Sequence, residues 1–216
     1  METLVARATA AAPARPAAGP AEAAAARARL AELVGAGGVA VLSGAGISTE
    51  SGIPDYRGPT GTARRASPMT YRTFTGDPAA RRRYWARSHL GWGLIDRARP
   101  NAGHRAVAEL ERRGLLAGIV TQNVDGLHQA GGARAVVDLH GRLDRVRCLG
   151  CHRLSDRDEL GERLTAANRN WHAEILGVNP DGDVDLPDEA LDGFRTVSCT
   201  SCDGVLNPDV VFFGET

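Results

Sequence analysis

Short apolar runs, each closed by glycine or small polar residues, alternate with longer stretches of helical period along this chain. Val39, Ala40, Val41 and Leu42 make the first run, residues 115–120 the second, and Val136, Val137 and Leu139 the third. Runs of this length without apolar-polar alternation predict strands buried on both faces, as in a parallel sheet. Between them lie helical signals. Residues 20–34 are Ala-rich and stop at Gly35 and Gly37; Asp77-Pro78 reads as a cap and first turn; Asn101 caps a segment with Val107 and Leu110 at helical spacing, ended by Gly114. Strands alternating with helices predict an α/β fold with a Rossmann-like, doubly wound parallel sheet.

Two stretches break the rhythm. Residues 58–77 are rich in Gly, Pro, Ser and Thr and read as a long loop, which in a compact domain is usually functional or disordered. Residues 145–206 hold all four cysteines, a polar helix candidate and a Pro/Asp/Gly-rich stretch, and read as an inserted second module. The predicted organisation is a disordered tail over 1–20, a Rossmann-like domain over 21–144 and 207–216 with Val210, Val211, Phe212 and Phe213 as a resumed strand, and the insertion between.

Charge adds an exclusion. The 26 acidic residues balance 26 basic ones, all of them Arg, so no nucleic-acid or anionic-membrane surface driven by net charge is expected. Arg81, Arg82 and Arg83 read as a solvated helix face. No apolar run approaches the roughly 18 residues that span a bilayer, and the Ala/Pro-rich start lacks the apolar core of a secretory signal, which predicts a cytoplasmic protein.

The chemistry sits where apolar runs end. Gly44 and Gly46 after the first run supply the G-x-G of a dinucleotide-binding turn, with Thr49 in place of a third glycine. The second run ends in Gln122-Asn123-Val124-Asp125 and the third in His140-Gly141, and polar residues beyond a strand's carboxyl end fall in the ligand crevice of a doubly wound sheet. His140 reads either as a structural histidine or as a general base. Cys148-x-x-Cys151 and Cys199-x-x-Cys202 consume every cysteine and offer four thiolates to one structural zinc ion; reduced buried cysteines and redox pairs are the other readings. His152 reads as an exposed neighbour of the pair.

The string VAVLSGAGISTESGIPDYRG at residues 39–58, followed in order by TQNVDGLH, LHG and the paired cysteines, resembles the sirtuins, NAD-dependent protein-lysine deacylases. The resemblance covers roughly residues 25–216 and implies a Rossmann-like domain with a zinc-ribbon insertion. It implies NAD contacts from Gly44, Ala45, Gly46, Ile47, Ser48, Asp55, Tyr56, Arg57, Gln122, Asn123, Asp125 and His140. Asp125 would bind the nicotinamide carboxamide, Asn123 would orient ribose or water, and His140 would take a proton from the ribose hydroxyls. An acyl-lysine protein or peptide is the implied substrate, paired as a strand along Val210, Val211 and Phe212, and O-acyl-ADP-ribose, nicotinamide and free lysine are the implied products. Mono-ADP-ribosyl transfer from the same NAD chemistry, or NAD and peptide binding without turnover, are the alternative readings.

RYWAR at residues 83–87, Gly91-Trp92 and NPDGDV at 179–184 resemble the class II branch containing the mitochondrial sirtuins. Tyr84 and Arg87 have the Tyr-x-x-Arg spacing of the family's acidic-acyl removers, one helical turn apart, which implies that Arg87 faces an acidic acyl group. Family members continue past the FGE motif with strands that hold the adenosine half of NAD, so the sheet is expected to be incomplete at Thr216.

Overall fold

The computed structural model describes residues 19–55, 69–179 and 182–215. The chain divides into two units, Met1–Gly37 and Gly38–Thr216. In the first, helix α1 (Pro20–Gly35) begins on a proline, whose missing N–H is an orphan of the first turn anyway. It stops before Gly37, which takes a left-handed conformation (φ 79°). Residues 1–18 of the expected tail lie outside the described residues.

In the second unit β1 (Val39–Ser43), β2 (Leu116–Thr121) and β3 (Val136–Asp138) form a parallel sheet in that order. Ser43 pairs with Thr121 and Thr121 with Asp138, so the strands end in one row. Helix α4 (Ala102–Arg112) packs Val107 and Ala108 with Val41, Leu116, Ile119 and Val136. The opposite face differs from expectation. Leu42 is 69% and Val137 56% exposed, so the runs that predicted burial on both faces are not buried on the second. An apolar run permits two-sided burial, but a covering element must supply it.

Residues 58–77, read as loop throughout, contain helix α2 (Tyr71–Gly76), started by the Thr70 side chain, which accepts from Thr73 N. Positions 58–68 lie outside the described residues. Helix α3 (Pro78–Arg97) follows at once, with the Asp77 carboxylate accepting from Ala79 N as its cap. Arg81 does not join a solvated face. Its guanidinium donates to the carbonyls of Phe74 (2.9 Å) and Thr75 (3.1 Å), satisfying groups that the end of α2 leaves open.

β4 (Gly141–Cys148), β5 (Leu154–Asp156) and β8 (Leu206–Val210) form an antiparallel sheet in the order β5-β4-β8; β4 and β8 run past both ends of the insertion expected over 145–206, and the name insertion is kept for this sheet and the elements between its strands. The strand near the chain's end is therefore 206–210 rather than 210–213, and it pairs with β4, outside the parallel sheet. Pro208 sits opposite Val146 in it. Helix α6 (Arg157–Ala167) and a hairpin of β6 (Gly177–Val178) and β7 (Val184–Asp185) complete the insertion. The largest core joins the insertion to α2 and α3: Phe74, Trp85 and Phe212 pack with Val146, Leu160, Leu164, Phe194 and Leu206. Gly91 lies where α3 meets Gly182; a Cβ there would stand 2.3 Å from Gly182 O.

Arg157, unremarkable in a polar helix, is only 2% exposed. Its guanidinium lies 5.5 Å and 5.4 Å from the ring centroids of Trp85 and Trp92, and Nη2 donates to the Ser88 carbonyl (3.1 Å). Burial pushes its pKa down to about 10, so it stays charged at neutral pH. Arg157→Ala, which leaves both indoles facing a cavity, is expected to cost about 3 kcal/mol in urea denaturation. Arg157→Met, which keeps the volume, should cost less than half as much, and equal losses would contradict a role in packing.

Candidate functional site

Three loops leave the parallel sheet at the row of Ser43, Thr121 and Asp138. The ladder runs one step past the strands: Gln122 N donates to Ser43 O (3.0 Å) and Leu139 N to Thr121 O (2.9 Å). This brings the three sequence-predicted clusters, Gly44–Ser48, Gln122–Asp125 and His140, to one edge. Neither Gly44 nor Gly46 has a positive φ, so conformation alone does not demand glycine; a Cβ on Gly46 would meet nothing within 4 Å, which leaves its backbone open to close approach.

A 3-10 helix (Ala45–Ser51) carries Ser48 into the interior, where it is fully buried. Ser48 Oγ donates to Asp125 Oδ2 (2.7 Å) and accepts from Asn123 Nδ2 (3.2 Å). Its third neighbour is His104 Nε2 at 3.5 Å. Asn101 N donates to His104 Nδ1 (3.3 Å), so the ring proton is on Nε2 and faces Ser48. One hydrogen and two lone pairs are then all engaged. Asn123 Nδ2 also donates to Gly44 O (3.1 Å), and Asp125 Oδ1 accepts from Leu127 N (2.9 Å). Asn101 Nδ2 holds the Ile47 carbonyl (2.6 Å), which ties the 3-10 helix to the start of α4.

His140 is exposed. Its Nδ1 lies 2.9 Å from the Gln122 carbonyl, which can only accept, so Nδ1 bears the proton and Nε2 keeps its lone pair for another group. Gly141 follows with φ 76°, and a Cβ there would stand 2.0 Å from Asp209 O, so only glycine lets β8 run this close. Val211 N donates to the His140 carbonyl (2.9 Å). Val211 (52%) and Phe213 (64%) are exposed beside it while Phe212 is buried. Asp209 accepts from Arg147 (2.9 Å) and pairs with Arg145 (3.1 Å), which fixes this turn.

Burial is the main cause lowering the pKa of both His104 and His128, the latter on helix α5 (Leu127–Ala130). For His104 the neighbouring His128 and Arg105 add to it against Asp125; for His128, Asp125 and Asp138 oppose it. Sequence reasoning gave His104 no role and assigned none to Ser43; the Asn-x-x-His spacing at 101–104 was the available signal, since Asn101 and His104 form a reciprocal cap.

The residues expected to recognise substrate are less uniform. Tyr84 packs edge-on to Phe74 and Trp85 and against Phe212. Arg87 turns elsewhere: Nε donates to Val184 O (2.8 Å), and Nη2 pairs with Asp185 (2.6 Å) and Asp183 (3.3 Å). The carboxylates that engage Arg87 thus belong to the chain, and its guanidinium clamps α3 to β7. Asp55 is half-buried. Tyr56 and Arg57 lie outside the described residues.

The sulfur atoms of Cys148, Cys151, Cys199 and Cys202 all lie within 4.8 Å of one another. The two knuckles share one geometry: His152 N donates to Cys148 O and Asp203 N to Cys199 O, with both donor residues at positive φ (59° and 56°). The Cys148 thiol is held down to about 6 by the Cys151 and Gly150 N–H groups and Cys199 is lowered chiefly by Ser201 N–H, whereas Cys202, despite the Gly204 N–H, is pushed up to about 12 by the adjoining Cys148 and Cys151. Four crowded sulfurs cannot all be thiolates without a cation between them, and a tetrahedral zinc ion removes that repulsion. A Cβ on Gly204 would stand 2.8 Å from Cys148 Sγ, so backbone closes one side of the cluster. His152 is exposed and outside it.

A model of the Sir2 family matches residues 44–216. The chain belongs to the Sir2 family. Among the relatives of this sirtuin, the NAD-dependent protein deacetylase 1 of Streptomyces coelicolor is 64% identical over 86% of the chain and 62% of its own length. The NAD-dependent protein deacetylase 1 of Mycobacterium avium is 52% identical over 82% of the chain and 64% of its own length. The sirtuin thus spans less than two thirds of the length of these relatives. A solved structure of a Sir2 with p53 peptide and NAD+ superposes with a TM-score of 0.63 at 28% identity, covering 87% of this chain and 65% of that one. A Sir2 mutant with deacetylated p53 peptide and 3′-O-acetyl ADP-ribose gives 0.62 at 28%, covering 88% and 66%. The Rossmann-like α/β fold with a parallel sheet is that of these neighbours, and the four cysteines fit a structural zinc ion.

Elemental analysis is expected to find about one zinc per chain, lost with the folded state in Cys148→Ser; a stable metal-free protein would contradict the assignment. The histidines set a pH dependence. Their folded pKa values are below those of the unfolded chain (about 6.5), so the unfolded state binds more protons as pH falls. Stability is then complete above the unfolded value and declines as pH drops below it toward the folded values. The urea midpoint should fall between about pH 7.5 and 5.5, and His128→Gln should flatten part of that fall; identical slopes would contradict burial as the cause.

Proposed function

We propose that this sirtuin removes acyl groups from lysine side chains of proteins with consumption of NAD. The observation that carries the reading is the meeting of the Asn123–Ser48–Asp125 network with the outward Nε2 of His140 at one edge of the parallel sheet. NAD supplies an ADP-ribosyl group that accepts the acyl oxygen at its C1′ as nicotinamide leaves. Every other requirement falls to the chain. Gly44, Ala45 and Gly46 present backbone to the dinucleotide, with Gln122 beside them; Ile47, whose N–H and carbonyl are already engaged, offers its side chain, and Asp55 belongs to the same proposed surface. Asp125, with Ser48 holding one carboxylate oxygen, keeps the other side of its carboxylate on Leu127 N and so presents a fixed acceptor edge to the nicotinamide carboxamide. Asn123 orients the ribose. His140 takes the ribose hydroxyl proton on Nε2, the nitrogen left basic by the Gln122 bond.

The acyl-lysine peptide lies extended along residues 210–213, where exposed Val211 and Phe213 flank the His140 carbonyl bond. The relatives named as deacetylases and the Sir2 structures with peptide, NAD+ and acetyl ADP-ribose support this reading.

Incubation with NAD and an acetyl-lysine peptide should release nicotinamide and deacylated peptide in equal amounts, with O-acyl-ADP-ribose identified by mass. His140→Ala should reduce turnover by about 100-fold or more. ADP-ribose attached to protein in place of the free acyl ester, or turnover indifferent to His140, would overturn the proposal.

A further inference from the structure

His128 lies outside the atoms assigned to NAD, yet it is almost completely buried at the end of β1 and β2. Its Nε2 is 2.8 Å from Ser43 Oγ. Ser43 Oγ spends its one hydrogen on Thr121 Oγ1 (2.9 Å), the residue paired with it across the strands, so Ser43 must accept from His128. The ring proton is therefore on Nε2, and Nδ1, which has no hydrogen-bond partner among the described residues, keeps its lone pair. Thr121 Oγ1 also accepts from Asn123 N (3.1 Å). One chain of bonds thus runs from His128 through Ser43 and Thr121 to the backbone of Asn123, whose side chain holds Gly44 O and Ser48.

We infer that His128 is a positioning residue of the nicotinamide side of the site: its Nε2–H holds the Ser43–Thr121 pair, and that pair fixes Asn123 and the turn at Gly44. The inference rests on the NAD reading above for its functional part only. The neutral imidazole suits the place. It delivers one N–H to the Ser43–Thr121 pair and reaches two strand ends from a short helix. The His104 ring, 5.1 Å away, delivers its own Nε2–H to Ser48, so the two serines at the head of the turn are each held by a histidine donor.

The test combines a readout independent of NAD with one that depends on it. Long-range nitrogen-proton NMR of the whole chain should show His128 as the Nε2–H tautomer, and the Asn123 amide should exchange with solvent at least 10-fold faster in His128→Leu than in the parent. His128→Gln, whose amide can supply the lost donor, should restore protection. An Nδ1–H tautomer, or Asn123 exchange unaltered by Leu, overturns the inference whether or not NAD binds. Calorimetry then compares NAD with ADP-ribose, which lacks nicotinamide. His128→Leu is expected to weaken NAD about 10-fold more than ADP-ribose, with rescue by Gln. Equal weakening of both ligands means general damage and overturns the positioning role. If the parent binds neither ligand while the tautomer and exchange results hold, the NAD reading fails and the positioning of Asn123 stands.

Discussion

The clusters that meet at one edge of this sirtuin are brought there by three parallel strands ending in register. Because Ser43, Thr121 and Asp138 share a row, loops far apart in sequence leave the sheet side by side. Each loop alone is a short polar string with little tendency to hold a shape. Together they share a few buried hydrogen bonds, and the requirement that every buried polar atom find a partner fixes their relative positions. Ser48 is the clearest case, with its hydrogen and both lone pairs engaged by Asp125, Asn123 and His104. A hydroxyl so committed permits one arrangement of its neighbours.

The second organising constraint is the joint between the parallel-sheet elements and the insertion. Helix α3 faces the insertion more than the sheet: Trp85 and Ala86 belong to its core, Arg87 clamps β7, and Arg157 reaches back between Trp85 and Trp92. The zinc knuckles close the far end, with Cys148 and Cys199 inside the same core. A metal that shapes the knuckles therefore also shapes the surface on which α3, β8 and the exposed residues Val211 and Phe213 are placed. The positive-φ glycine at 141 is the narrow point of this joint, since it alone lets β8 approach the residue after His140.

Much of this was legible in the residues. Asp77-Pro78 and Asn101 announced helix starts through local bonds that need no tertiary context, and the cysteine spacing described the knuckles because tetrahedral ligation imposes it. The clusters at 122–125 and 140 were visible as polar strings closing apolar runs. What escaped reading depends on partners distant in sequence. Residues 206–210 form a strand despite Pro208 because β4 supplies the register, and that is invisible in the segment itself. Arg157 reads as one more helix charge until two indoles enclose it. Arg87 had the right spacing from Tyr84 for a substrate carboxylate, but Asp183 and Asp185, almost a hundred residues along, engage it. His104 had no stated role and His128, in the TQNVDGLH string, was expected to support its loop; the serine on another loop through which each acts is what sequence does not show.

The edge beyond Ser43, Thr121 and Asp138 is proposed as one nucleotide site. Backbone NMR of the isotope-labelled chain during titration with NAD tests it without requiring turnover. Saturable shifts are expected at Gly44, Gly46, Ser48, Asn123, Asp125 and His140, with the knuckles at Cys151 and Cys202 unmoved. Shifts confined to the insertion, or none in the first group at saturating NAD, would contradict it.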